Sequence, residues 1–141
     1  MGLLEYNSAT YYRYVSLDLG QLATNLRTND IAGAVLAFTK ALFVAVPSAR
    51  QKTMAATCPW NFAIVTLRKG QPMQIPFNVP VKSNADKNIL EASIDELKKR
   101  FGDVKRMYGS MFGLKAEKEI SLQEGSIDEL CTAINQAIGQ I

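Results

Sequence analysis

The sequence predicts an α+β fold, in which a strand–helix–strand unit is followed by a helical C-terminal part. The first third contains an aromatic, β-branched stretch and then a long apolar stretch with almost no charge. After residue 84, apolar residues recur at helical spacing with charges between them. With 141 residues, no internal repeat and no linker-like segment, the chain is predicted to form one domain, residues 1–141.

The N-terminal region is predicted to form a strand and a short helix. Residues 8–17, SATYYRYVSL, are rich in aromatic and β-branched side chains, which favour strands. Neither of the two faces that alternation would create is cleanly apolar. The carboxylate of Asp18 can then cap a short helix over residues 19–26, in which leucines recur at helical spacing.

An apolar helix is predicted next, over residues 31–46. Asn29 or Asp30 can cap its start, and Pro47 would end it, because proline cannot continue the helical hydrogen bonds. Only one threonine and one lysine interrupt its apolar surface. A helix that is apolar on nearly all sides must be covered by its own sheet or by another chain.

A second strand and a proline-containing segment follow. Residues 60–67, WNFAIVTL, are predicted to form a strand that the turn RKGQP closes. Residues 73–81 contain Pro76 and Pro80. They are expected to be extended without forming a central strand, because proline removes hydrogen-bond donors from a ladder.

The C-terminal part is predicted to be mainly helical. A long amphipathic helix is expected over residues 84–109, with Gly109 as its stop. Residues 119–123 are predicted to form a short strand, and Ser126 with Glu129 to form a capping box for a last helix. The apolar stripe of the long helix alternates steps of four and three residues: Leu90, Ile94, Leu97, Phe101, Val104 and Tyr108.

The composition argues against an enzyme. The chain has no histidine, which removes the commonest general base and the commonest metal ligand. It also has no glycine-rich phosphate-binding pattern, so we expect a protein without catalytic residues, metal or cofactor. No apolar run is long enough to span a membrane. Cys58 and Cys131 are far apart in sequence and are expected to be free, buried thiols of a cytoplasmic protein.

Two carboxylate pairs are the remaining catalytic candidates. Asp95 with Glu96, and Asp128 with Glu129, are better explained as charges near helix starts, where they complement the helix dipole. The basic residues of the long helix could meet phosphate but are expected to form its solvated face: Lys98, Lys99, Arg100, Lys105 and Arg106.

Charge is distributed unevenly along the chain. The net charge of +3 combines +4 over residues 1–80, +3 over residues 81–118 and −4 over residues 119–141. Residues 31–85 contain no acidic side chain and six basic ones: Lys40, Arg50, Lys52, Arg68, Lys69 and Lys82. A stretch of one sign suits a polyanion, but a core segment with a few solvated cations explains it equally well.

A nucleic-acid interface is the binding hypothesis that the side chains favour. Tyr12 and Tyr14, with Arg13 between them, are the residue types that stack on unpaired bases. Alone, they are better explained as half-buried aromatics of a sheet. A second group after the apolar helix supplies cations and hydrogen-bonding groups for a phosphate backbone: Arg50, Gln51, Lys52 and Thr53. Together, the two groups favour binding of RNA or DNA.

Four blocks of the sequence resemble a known family. They are EYNS at residues 5–8, YYRY at residues 11–14, the leucine-rich segment at residues 19–26, and VPSARQKT at residues 46–53. Their order and spacing are similar to those in the C-terminal part of the backbone subunit of the type I-E CRISPR complex Cascade, sometimes called CasC. The resemblance extends over essentially all 141 residues and is most specific over residues 5–67.

This resemblance implies a partial RRM-like, ferredoxin-like palm and a non-catalytic, RNA-binding role. Members of the family polymerise along CRISPR RNA and hold its spacer for pairing with target DNA, in antiviral defence in the prokaryotic cytoplasm. The implied partners are CRISPR RNA, target DNA through that RNA, neighbouring copies and other Cascade subunits. RNA would be held through its backbone, and therefore largely independently of spacer sequence. By analogy, residues 50–53 would lie near the RNA-facing or subunit-facing side.

The chain is shorter than members of that family. We therefore expect a C-terminal portion of a backbone subunit, without the N-terminal half of the palm and most of the thumb. Without that half, the apolar helix over residues 31–46 would be uncovered, and self-association, for example as a homodimer, is expected. The alternative function is a protein–protein assembly module that does not itself bind RNA.

Overall fold

The computed structural model describes residues 9–28, 30–45, 59–83, 85–121 and 123–139. These residues form four α-helices and a two-stranded antiparallel sheet, which confirms the predicted α+β class. The chain divides into two units. Residues 1–16 with 71–112 make the first unit, and residues 17–70 with 113–141 make the second.

Helix α1, Leu19–Leu26, has a side-chain cap at its start and a left-handed residue at its end. Asp18 accepts a hydrogen bond from the backbone N–H of Gln21 at 2.9 Å, and so satisfies one of the donors left unpaired at a helix start. The helix ends at Arg27, which adopts a left-handed conformation with φ of 54°. The predicted cap and the predicted short helix are both confirmed.

Helix α2, Ala32–Val44, is shorter than predicted and is not capped by Asp30. The residue before it, Ile31, makes no side-chain capping hydrogen bond, whereas the backbone N–H of Asp30 donates to Thr28 Oγ1 at 3.1 Å. Asn29 and Pro47, the other predicted boundary residues, lie outside the described residues.

Much of the apolar surface of α2 remains exposed. Val35 and Thr39 are its buried residues, and the Thr39 hydroxyl donates to the Val35 carbonyl at 2.9 Å, so this buried polar group is satisfied. In contrast, Phe38 is 37% and Val44 is 79% exposed. The elements of this chain therefore do not cover the helix on most sides, and cover by another chain, the alternative that the sequence left open, stays a prediction.

The sheet joins strands β1, Phe62–Arg68, and β2, Leu114–Ser121, in antiparallel register. Val65 lies opposite Lys118, and the register shifts once, between Leu67 and Arg68. The second predicted strand is therefore confirmed, and the strand predicted over residues 119–123 begins earlier and is longer. Every residue of β1 is half-buried.

The first predicted strand is wrong. Residues 9–18 form no strand, although residues 11–17 include three tyrosines and one valine. A strand exists only when another strand supplies its hydrogen bonds, and no described strand pairs with residues 9–18. Neither alternating face of residues 9–17 is cleanly apolar. Burial of one face against a core therefore does not hold the segment in a strand either.

Helix α3, Ile89–Tyr108, begins later than predicted because Asn88 caps it. Asn88 Oδ1 accepts from the backbone N–H of Glu91 at 2.9 Å, and Glu91 Oε2 accepts from the N–H of Asn88 at 3.1 Å. The helix stops at Gly109, as predicted, and a 3₁₀ turn follows over Gly109–Phe112.

Helix α4, Ile127–Ile138, begins at the predicted cap residue Ser126, with one half of the predicted capping box. Ser126 Oγ accepts a hydrogen bond from the backbone N–H of Glu129 at 3.1 Å. The helix packs against α2 and against β2 within the second unit. Cys131 on this helix is free and buried, as expected, whereas Cys58 lies outside the described residues.

Each unit has a small apolar core. In the first unit, Phe101 and Phe112 pack edge to face with ring centres 5.8 Å apart, and Ile75 is also buried. In the second unit the buried apolar residues are Ile31, Val35, Ile120, Leu130 and Cys131. Among the helices within the described ranges, none is long and apolar enough to cross a membrane.

Candidate nucleic-acid interface

The predicted aromatic group lies on an extended segment of the first unit. Tyr12 is 39% exposed, Tyr14 is 37% exposed, and Arg13 between them is exposed. Tyr11 is the most exposed aromatic residue of this segment, at 77%. Although the segment is not a strand, it offers aromatic surface and a cation to solvent, which is what stacking on unpaired bases requires.

Tyr12 is held in place by a neighbouring segment. Its ring packs edge to face on Phe77, with ring centres 5.4 Å apart. Burial raises the pKa of the Tyr12 hydroxyl, the backbone hydrogen bond with Ile75 lowers it, and Tyr14 raises it slightly, so the net direction is upward. Since Ile75 is itself buried, Tyr12 is fixed on one side and exposed on the other.

Stability should fall at alkaline pH because of Tyr12. Its pKa in the folded chain lies above the ordinary value of 10.0, so the unfolded chain loses the phenolic proton first. The folded state then binds more protons, and the free energy of unfolding decreases as pH rises above about 10. We expect a shallower decrease in Tyr12→Phe than in the parent, measured by urea unfolding between about pH 8 and pH 11.

Tyr11→Phe is the matched control for this measurement. It removes a hydroxyl from the neighbouring, highly exposed tyrosine and should leave the alkaline decrease as steep as in the parent. Identical pH profiles for Tyr12→Phe and the parent would contradict the assignment.

The second predicted group cannot be placed beside the first. Arg50, Gln51, Lys52 and Thr53 all lie outside the described residues. Their contribution to an interface stays a prediction from sequence.

The first unit carries an excess of positive charge. Its described residues include eight lysines and arginines against five aspartates and glutamates, a net of +3. On α3, Lys98, Lys99 and Lys105 are exposed, and Arg106 is exposed with an ion pair to Asp103 at 2.8 Å. These four residues lie on the solvated face that the sequence predicted, whereas Arg100, the fifth predicted residue, is half-buried with its side chain 27% exposed. A positive field around this face favours a polyanion without specifying one.

Three of the four candidate carboxylates form ion pairs. The helix-start role predicted for Asp95 and Glu96 is wrong, because α3 begins at Ile89 and the acidic residue of its first turn is Glu91. Asp95 pairs with Lys87, and Glu96 lies 4.0 Å from Arg100 one helical turn away. In the second unit, Asp128 lies 3.7 Å from Lys40, at an open cleft of about 360 Å³ between α2 and α4. Asp128 is 89% exposed, which is typical of a solvated charge near a helix start. Within the described part of the chain, histidine, cysteine, aspartate and glutamate do not cluster as metal ligands do.

Sequence reasoning missed Phe77 and Ile75, which position Tyr12. The segment over residues 73–81 was predicted to be extended because of its prolines, and it is. Nothing in the spacing of Tyr12 and Phe77 signals their contact, because they are far apart in sequence and belong to no shared ladder.

The chain matches a known protein family. The sequence model of a family described as CT1975-like protein, labelled Cas for CRISPR-associated, matches residues 1–137. A comparison with curated proteins gave no match. The matched residues include the aromatic segment, both strands, helices α1 to α3 and all but the last residue of α4.

Proposed function

Because the chain belongs to the CT1975-like family of CRISPR-associated proteins, we propose that it is a non-catalytic backbone subunit that binds CRISPR RNA. The match over residues 1–137 is the observation on which this proposal rests. The finer assignment, to the type I-E Cascade subunit called CasC with an RRM-like palm, comes from the resemblance of residues 5–67. In this role the subunit holds guide RNA for pairing with target DNA, in the cytoplasm of a prokaryote.

The aromatic segment supports RNA as the ligand. Single-stranded RNA is bound by combining stacking surfaces with cations along the phosphate backbone. Tyr12, Arg13 and Tyr14 provide the first feature on adjacent residues, with both tyrosines more than a third exposed. We propose that Arg50 and Lys52 contact phosphates, while Gln51 and Thr53 donate hydrogen bonds.

The proposal predicts binding that weakens as salt rises. Replacing Arg50 and Lys52 together by alanine should weaken binding of a single-stranded RNA and flatten its salt dependence. Two lost phosphate contacts should reduce the slope of log affinity against log salt by about 1.4, since each contact to single strands contributes about 0.7. Fluorescence anisotropy with a labelled oligonucleotide of arbitrary sequence, over a series of salt concentrations, measures both quantities.

The matched control is Lys98→Ala with Lys99→Ala on α3. These exposed residues carry the same charge as the tested pair, so the control corrects for loss of net charge. Equal effects of the two double variants would mean that only the general field matters, and the assignment of Arg50 and Lys52 would fail. Intact RNA after the assay is expected of a non-catalytic subunit, whereas cleavage would support an enzyme.

A protein–protein assembly module is the second candidate. The exposed apolar side chains of α2 favour it, since Val44 is 79% exposed and Phe38 is 37% exposed. Exposed apolar surface of this kind is typical of contacts with other chains. Absence of RNA binding even at low salt, with a folded chain, would favour this function over the first.

A further inference from the structure

Strand β1 is an apolar strand with a partner on only one edge among the described residues. The sheet contains β1 and β2 alone. From Ala63 to Leu67 the strand carries no charge, and all of these residues are half-buried. In an antiparallel ladder, backbone N–H and C=O groups alternate between the two edges of each strand. About half of the backbone N–H and C=O groups in residues 63–67 therefore point away from β2. No charged side chain within these residues would hinder another strand from pairing with that edge.

Strand β2 differs from β1 in its charge pattern. It contains Lys115, Glu117, Lys118 and Glu119, which are all exposed. When two copies of one strand pair antiparallel about a two-fold axis, the residue at the axis lies opposite itself. The two registers that pair most of β2 place Glu117 opposite Glu117 or Lys118 opposite Lys118. Like charges in direct opposition destabilise a ladder, although the register centred on Glu117 also pairs Lys115 with Glu119. Self-pairing of β2 is therefore less favourable than that of an uncharged strand.

Strand β1 has no such obstacle. A two-fold register centred on Val65, the middle residue of the strand, places Ala63 opposite Leu67 and Ile64 opposite Thr66. None of these positions is charged, and β-branched pairs stabilise a ladder. The pairing is self-complementary, which is what a closed dimer requires.

We propose that a second copy of this chain pairs with β1 along its outer edge. The product is a four-stranded antiparallel sheet in the order β2-β1-β1-β2. A two-stranded sheet is marginal by itself, whereas four strands reach the usual size of a stable sheet. The dimer satisfies the outward-pointing backbone groups of both copies of β1 at once. It involves none of the residues proposed to bind RNA.

Hydrogen exchange read out along the full chain tests this pairing. As protein concentration rises, the mass by sedimentation should move from 15.5 kDa toward twice that value. Over the same range, amides of residues 63–67 should become protected, while β2 should change little. A chain that stays monomeric at high concentration would overturn the proposal. A dimer in which the β1 amides gain no protection would also overturn it, because the copies would then associate through another surface. Protection of the β1 amides that does not depend on protein concentration would do the same, because the edge would then be covered within a single chain.

Charge substitutions at the two-fold axis give a second, independent test. Val65→Lys and Val65→Glu should each be monomeric, because they place like charges opposite each other, and an equimolar mixture should form heterodimers. Lys115→Glu on β2 is the control and should dimerise like the parent, since it lies on the other strand. If the mixture stays monomeric while both variants retain parent-like circular dichroism, or if either variant alone dimerises, the register centred on Val65 is wrong. If a variant loses its circular dichroism signal, it is unfolded, and hydrogen exchange in the parent protein then decides whether β1 pairs with a second copy.

Discussion

Truncating Leu130 to alanine is expected to lower the free energy of unfolding by about 2–5 kcal/mol. The side chain is fully buried, with 0% exposure, on the helix that packs against both α2 and β2. Its removal takes away apolar contacts and leaves a cavity that the surrounding elements can fill only in part. Since whole domains are stable by only about 5–15 kcal/mol, this single change should remove a large fraction of the stability.

Leu26→Ala is the control, because it is the same leucine-to-alanine substitution at a more exposed position. Leu26 ends α1 and is 47% exposed, so the same truncation should cost about 1 kcal/mol or less. Urea unfolding followed by circular dichroism measures both variants against the parent. Similar losses for the two leucines would show that the α2–α4–β2 core does not stabilise the chain as its burial implies.

The elements that sequence predicted best are those that begin or end with local chemistry. Asp18 and Ser126 each accept a hydrogen bond from a backbone N–H three residues ahead, and such a contact needs no information from elsewhere in the chain. The end of α3 is also determined locally, because Gly109 adopts a φ of 51°, a conformation that favours glycine. The Asn88–Glu91 capping box is equally local, but the sequence prediction overlooked it and began α3 at residue 84.

The elements that sequence predicted poorly depend on distant partners. Residues 9–17 have the composition of a strand but form none, because composition does not determine which strand pairs with which. Conversely, β2 is rich in lysine and glutamate, which are uncommon in strands, yet it extends over eight residues because β1 pairs with it. Strand pairing is a contact between remote segments, and its outcome overrides local preference.

The candidate site shows the same division. The sequence was sufficient to select Tyr12, Arg13 and Tyr14 as side chains suited to bases, because this choice needs only residue type and adjacency. It could not place Phe77 against Tyr12 or predict the burial that raises the pKa of the Tyr12 hydroxyl. Whether Arg50 and Lys52 act with the tyrosines stays a prediction that the binding experiment decides.

Gly113→Ala is expected to destabilise the chain by at least about 3 kcal/mol. Gly113 precedes β2 and adopts φ of +65°, which alone costs a side-chain-bearing residue about 1–3 kcal/mol. A methyl group there would lie 2.1 Å from the carbonyl oxygen of Lys69, well inside contact distance. The backbone N–H of Lys69 donates to the Gly113 carbonyl at 2.8 Å, so the clash cannot be relieved without disturbing the hydrogen bond that closes the β1–β2 ladder.

Gly102→Ala should have the opposite effect, although the substitution is the same. Gly102 lies inside α3, and a methyl group added there would meet no atom within 4 Å. Alanine in a helix interior is favoured over glycine by about 0.5–1 kcal/mol, so this variant should be more stable than the parent. Urea unfolding measures the change in the free energy of unfolding for both variants, which should be opposite in sign. Amide exchange at Lys69 should accelerate in Gly113→Ala only. A Gly113→Ala chain as stable as the parent would mean that the backbones of residues 69 and 113 do not approach each other as described, and the β1–β2 pairing would then need a different closure.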